Sequence, residues 1–178
     1  MRKYWVSLLA LLLLAGCQQA PQAFVIPVAE EVSNTAAFAV TVPEGKKVAL
    51  YVEHWLDGEQ VERKHLVSFA EDTKPVVVQV NEQDGQVEYL YVTQSGDVQE
   101  TVEQVHLEEY SVQGMSLWGW LTPEEAAADG TDAVVLYAWC GDEETAVNTM
   151  RCSAFMEDAA YVEEFQEVQM VWAVLEDV

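Results

Sequence analysis

With 178 residues, 31 Asp and Glu against 8 Lys and Arg, and a formal charge of −23, the chain is long enough to bury a real core. It is also far too acidic to grip nucleic acid, whose phosphates need Lys and Arg to neutralise them. The same charge opposes spreading on an anionic membrane or along anionic wall polymers, which leaves a cationic partner, a divalent ion or a neutral ligand.

The chain opens on Arg2 and Lys3, a positive n-region, followed by an apolar run from Tyr4 to Ala15. That run is too short to cross a bilayer, which takes about 20 apolar residues. It ends in Leu14-Ala15-Gly16-Cys17, which resembles the lipobox of bacterial lipoproteins at every motif position. The resemblance covers residues 1–17 and implies a signal peptide at 1–16. It further implies that Cys17 carries a palmitate-type diacylglyceryl group and anchors the protein to the extracytoplasmic face of a membrane, at the cell surface or the periplasmic side. Two acyl chains suffice for stable anchoring. Cleavage leaves 162 of the 178 residues, and losing Arg2 and Lys3 leaves 6 basic residues against 31 acidic, a charge of −25. Residues 17–22 then form the lipidated cysteine and a polar tether, and 23–178 a single globular β-rich domain with a candidate sub-boundary near 112–115. Despite its acidity this part is rich in Val, Trp, Tyr and Leu, so it buries enough apolar surface to fold. Its general texture resembles that of bacterial surface lipoproteins.

Ala23 to Ala29 reads as an edge strand or approach segment, because Pro27 cannot donate to a ladder. Ala36 to Val42 is a strand ended by the turn Pro43-Glu44-Gly45. Val48 to Trp55 and Val61 to Phe69 flank Asp57-Gly58, the strongest hairpin signal in the chain. Its register is open: a two-residue turn puts Glu53 opposite Glu62, whereas a bulged three-residue loop moves that like-charge contact. Val76–Val80 and Val87–Thr93 pair across a loop at Asn81–Gln86, and Ser95-Gly96-Asp97 turns again. Val98 to Val112 mixes helical and strand spacing; the recurrence of short strands with turns every ten or so residues favours strand.

Thr122-Pro123-Glu124-Glu125 is a capping box with proline at the first helical position, opening a short helix over Pro123–Ala128. Ala133 to Cys140 is almost continuously apolar and reads as a buried strand. Gly141 to Thr145 is an acidic loop, and Ala146 to Cys152 a strand. Phe155, Ala159, Val162 and Phe165 have helical spacing, which sets a second helix near Glu157–Phe165. Val168 to Leu175 closes the chain as a strand. The fold class is mainly β: an immunoglobulin-like antiparallel sandwich with two short helices in the C-terminal third.

With Cys17 lipidated, Cys140 and Cys152 remain, eleven residues apart, and form a candidate disulfide in an oxidising compartment. It would close a loop of about 13 residues, worth roughly 3 kcal/mol; the alternative is two reduced, buried thiols. No His or further Cys stands near the pair, which argues against zinc. No G-x-S-x-G, Ser-x-x-Lys, P-loop or H-E-x-x-H occurs, and His54, His65 and His106 read as ordinary strand residues. An EF-hand fails at both loop glycines, since Gly85 in sixth place puts Tyr91 twelfth and Gly130 puts Leu136 twelfth. Irregular calcium loops remain as candidates at Asp129 and Asp132, or at Asp142, Glu143 and Glu144. Trp118 and Trp120 lie on one face of an extended segment, where they are core if buried and a stacking platform for a sugar or an anchor for a protein partner if exposed.

The expectation for function is a non-enzymatic, membrane-anchored binding or interaction module without a bound cofactor. The alternatives are an extracytoplasmic calcium- or solute-binding protein and, behind it, a carboxylate-dependent hydrolase.

Overall fold

The computed structural model describes residues 24–28, 34–71, 73–83, 86–95, 98–108, 115–126, 132–142 and 150–178. These form ten strands in two antiparallel five-stranded sheets. The first sheet has the order β1 (Val25–Pro27), β2 (Thr35–Val40), β5 (Thr73–Gln83), β6 (Gln86–Ser95), β7 (Val98–Glu108). The second has the order β4 (Glu59–Phe69), β3 (Lys46–Leu56), β10 (Glu167–Asp177), β9 (Ala133–Asp142), β8 (Met115–Trp120). The sandwich expected from the rhythm of strands and turns is thus present, and its last three strands complete the second sheet, with β10 at the centre. Pro27 ends an edge strand, where its missing N–H costs no ladder bond.

Alternation builds the core. On β2 every second residue is buried, and Phe38 is fully so. Between the sheets a run of rings, Phe38–Trp120–Tyr137–Tyr89, has successive centroids 6.2, 4.7 and 6.3 Å apart, spacings at which aromatic pairs attract beyond their area burial. β9 is buried at nearly every position because both its faces are covered. One face meets the first sheet. The other lies under α2 (Cys152–Glu157) and a 3₁₀ helix (Ala159–Glu164), where Phe155, Tyr161 and Phe165 stack in a second aromatic cluster.

The C-terminal elements differ from expectation in detail. Cys152, expected at the end of a strand, is the first residue of α2; residues 143–149 lie outside the described residues. The helix expected over Glu157–Phe165 is two pieces, broken where Asp158 turns extended and caps the 3₁₀ helix by accepting from Ala160 N. The capping box is as read: Thr122 Oγ1 accepts from Glu125 N, and Glu125 Oε2 accepts from Thr122 N, at the start of α1 (Pro123–Ala126). The strands flanking the loop expected at Asn81–Gln86 run further, to Gln83 and from Gln86.

The β3–β4 hairpin keeps the two-residue turn and adds a bulge. Asp57 and Gly58 both have positive φ, 50° and 78°, the signature of a type I′ turn, and Leu56 pairs with Glu59. The register then slips at Val61, so His54 faces Glu62 and Glu53 faces Arg63. The Glu53–Glu62 clash is replaced by an ion pair of 3.4 Å, with Arg63 also lying 4.1 Å over the Tyr51 ring.

Two ends of the sandwich follow from this layout. Phe24 O accepts from Thr41 N and Val178 N donates to Gly45 O, so both described termini meet the 41–45 connection at one end. The Asp57-Gly58 turn marks the other, one strand length or about 33 Å away.

Two predictions follow from the turn and from the terminal end. A Cβ at Gly58 would sit 2.9 Å from Glu163 Cγ, besides the positive φ. Gly58→Ala therefore lowers stability by about 1–2 kcal/mol from backbone strain alone and more from the clash; Glu163→Ala relieves only the second part, as urea unfolding will show. At the terminal end, the Tyr51 hydroxyl and then Lys47 hold Glu176 below the usual carboxylate range, and Lys46 does so for Asp177. The Glu176 bond in turn raises Tyr51. The carboxylate contributions are present above the ordinary carboxylate range and disappear as pH falls below about 4; that of Tyr51 is present below about pH 10 and disappears above it. Both limbs are shallow, because the groups stand in solvent. Glu176→Gln flattens the two limbs in unfolding midpoints measured against pH.

Candidate functional site

The interior changes character toward the hairpin end. On β10, Glu167 and Gln169 point inward and are fully buried, and His54 of β3 is 7% exposed. They satisfy one another. Tyr89 Oη donates to Gln169 Oε1 (2.7 Å), Gln169 Nε2 donates to Glu167 Oε1 (3.3 Å), and His54 Nε2 lies 2.8 Å from that same oxygen. An ionised carboxylate only accepts, so with Glu167 in that state His54 Nε2 is the donor of the pair. The chain of bonds crosses from the first sheet to the second and closes the polar end of the core.

Beside this network lies a cleft of about 370 Å³, between the edge strands β4 and β7. His54 and Leu56 form one wall, Val61, Glu62 and Lys64 another, and His106 and Leu107 the third. Lys64 spans the gap between the sheets: its Nζ donates to His106 O at 2.7 Å and pairs with Glu62 Oε1 at 2.7 Å. His106 Nε2 lies 3.1 Å from Gln104 Nε2; its Nδ1 is 3.3 Å from Glu88 Oε1 but without hydrogen-bonding geometry. The lining offers a cation, a carboxylate, imidazoles and three aliphatic side chains, and no hydroxyl or thiol. It is equipped to hold a small solute with polar and apolar parts.

The residues singled out from sequence are spread elsewhere. Trp118 and Trp120 share a face of β8 but not an environment: Trp120 is 4% exposed within the ring run, whereas Trp118 is 50% exposed on the sheet edge. Asp132 and Asp142, one from each of the two candidate calcium loops, sit at opposite ends of β9, about 30 Å apart. Asp129, Glu143 and Glu144, like Cys17, lie outside the described residues. Among the described residues no three His, Cys, Asp or Glu side chains converge to hold a metal ion. Cys140 and Cys152 stand as thiols rather than the expected disulfide. Each has its own partner, Met150 Sδ at 3.4 Å for Cys140 and Gly119 O at 3.7 Å for Cys152. Burial pushes the Cys140 thiol strongly up.

The buried network was passed over in sequence, although one signal was there. Glu167 and Gln169 are spaced by two at the start of an otherwise apolar strand, which puts both on one face. The chain matches no family model, no curated protein and no solved structure.

Glu167→Ala strands the donors of His54 and Gln169 in the interior and is expected to cost about 1–3 kcal/mol for each. Glu167→Gln keeps an acceptor and costs less. Chemical unfolding of the two variants side by side checks the order.

Proposed function

We propose that this protein is a lipid-anchored, extracytoplasmic binding module that presents the hairpin end of its sandwich, with the β4–β7 cleft, away from the membrane. The observation that carries the reading is the separation of the two ends. The described chain begins at Phe24 beside the 41–45 connection, and the cleft lies at the opposite end. From the lipobox cysteine to Val25 the chain is eight residues, a leash of at most about 28 Å. A short leash on one end favours exposure of the other. The polar and apolar lining of the cleft supports a small solute as ligand.

Cell fractionation tests the anchor: the full chain partitions with membranes, and Cys17→Ala moves it to the soluble extracytoplasmic fraction. Single cysteines placed at Val61 and at Glu44 test the orientation with a membrane-impermeant maleimide on intact cells or envelope vesicles. Val61→Cys is expected to label faster than Glu44→Cys. A soluble wild-type chain, or faster labelling at Glu44, overturns the reading. For the cleft, a solute bound at a hundred times its dissociation constant stabilises the fold by about 2.7 kcal/mol. Val61→Arg, which blocks the mouth without removing a hydrogen bond, abolishes that thermal shift.

A further inference from the structure

Past the bulge at Val61, Glu62 stands opposite His54 and Lys64 opposite Val52, so both charged side chains share the inner face of β4. Lys64 Nζ lies 2.7 Å from Glu62 Oε1 and 2.7 Å from His106 O. An ammonium has three N–H donors, so one is left once these two are used. Glu62 Oε2 has no partner among the described residues. The side chains of Lys64 and Glu62 are 40% and 36% exposed, which sets the spare donor and the spare acceptor side by side at the mouth of the cleft. His54 is engaged through Nε2 with Glu167, so Lys64 is the cation that faces a ligand. Leu56, Val61 and Leu107 supply apolar wall, with Leu107 fully buried.

On the reading of this cleft as a solute site, we infer that its ligand is a small zwitterion with an apolar body, of the class of the aliphatic α-amino acids. A carboxylate alone would meet Lys64 but stand against Glu62, and an amine alone would meet Glu62 but stand against Lys64. A zwitterion closes a ring of alternating charge. Its carboxylate accepts from the spare donor of Lys64, its ammonium donates to Glu62 Oε2, and the net charge of the cleft is unchanged. The formal charge of −23 on the whole chain acts in the same sense at longer range, turning free anions away and leaving a zwitterion unaffected. The three aliphatic side chains take the apolar body out of water. No Trp, Tyr or Phe lines the cleft for a sugar to stack on. A volume of about 370 Å³ lies near the lower end for ligand pockets and fits one amino acid rather than a longer peptide.

The test is calorimetric titration of the mature lipidated protein, in detergent micelles, with five compounds. L-leucine carries both charges and the apolar body. 4-Methylpentanoate lacks only its ammonium, 3-methylbutylamine lacks only its carboxylate, glycine lacks the apolar body, and glucose is neutral. Leucine is expected to bind, and each of the others about tenfold more weakly or worse. Glu62→Gln, which keeps the bond from Lys64 to His106 O, is expected to reverse one preference: 4-methylpentanoate then binds at least as tightly as leucine. A merely structural role for Glu62 would weaken both alike, and circular dichroism establishes that the variant is folded. The inference is overturned if leucine does not bind, if either singly charged analogue binds the wild type as tightly, or if Glu62→Gln still prefers leucine. Where another of the five binds in place of leucine, and Val61→Arg abolishes that binding, the cleft stands as a solute site and only the zwitterion falls. Where none of the five binds, the solute reading of the cleft falls with it.

Discussion

The extra residue at Val61 decides which face of the molecule each charge of β4 occupies, and the cleft depends on it. Strand side chains alternate with a period of two, so a one-residue slip sends every one of them to the other face. Without the bulge, Glu62 would stand against Glu53 on the outer face and Arg63 would point into the sandwich. With it, Arg63 meets Glu53 outside, and Glu62 and Lys64 turn toward β7. Lys64 then reaches His106 O and holds the two edge strands together. A single backbone irregularity relieves a like-charge contact, pairs Arg63 with Glu53 and furnishes the cleft with its polar side chains.

The core accepts polar groups at one end only, and the register of β10 explains how. β10 pairs with β3 without interruption, which sets Gln169 beside His54 and leaves Glu167 one step nearer the hairpin end. On the same inner row, β9 contributes Trp139 and β8 contributes Trp118. Burying an ionised carboxylate is costly unless it is paired and hydrogen-bonded. Here His54 and Gln169 converge on one oxygen, and Tyr89 anchors Gln169 from the opposite sheet. Such a network adds less to net stability than to uniqueness of packing, because any slip of β10 along β3 would strand all four groups.

Much of the fold was legible because local chemistry and tertiary structure agree. Asp57-Gly58, the capping box at Thr122 and Glu125, and the unbroken apolar run of β9 each mean in the structure what they mean in isolation. What was not legible depended on residues far apart in sequence. The Glu53–Glu62 conflict was visible, but its resolution lay in the preference of Arg63 for Glu53 and Tyr51. Trp118 and Trp120 have the same spacing and facing as a stacking pair, yet β8 is an edge strand, so burial stops between them. Of the cleft, His54 and His106 were noted, but nothing local joins His54 to Glu167 across 113 residues.

The covered face of the second sheet shows why even a correct pair of residues can be misjudged from spacing alone. Cys140 and Cys152 are separated by a length of chain that suits a small disulfide loop. The strand expected to deliver Cys152 is instead the start of a helix, and the cap on that helix comes from Glu125, 28 residues earlier. That helix start directs the Cys152 thiol toward Gly119 O, and Met150 lies against Cys140. Gly119 matters here for the space it leaves rather than for a turn: its φ is not positive, and its absent side chain is where the methionine methyl group rests. Soft, unbranched and half-buried, Met150 lies with its Sδ 3.4 Å from Cys140 Sγ and its methyl group over Gly119. A methionine between two cysteines reads in sequence as ordinary packing; only the meeting of β8 and β9 brings it against Cys140 and over Gly119.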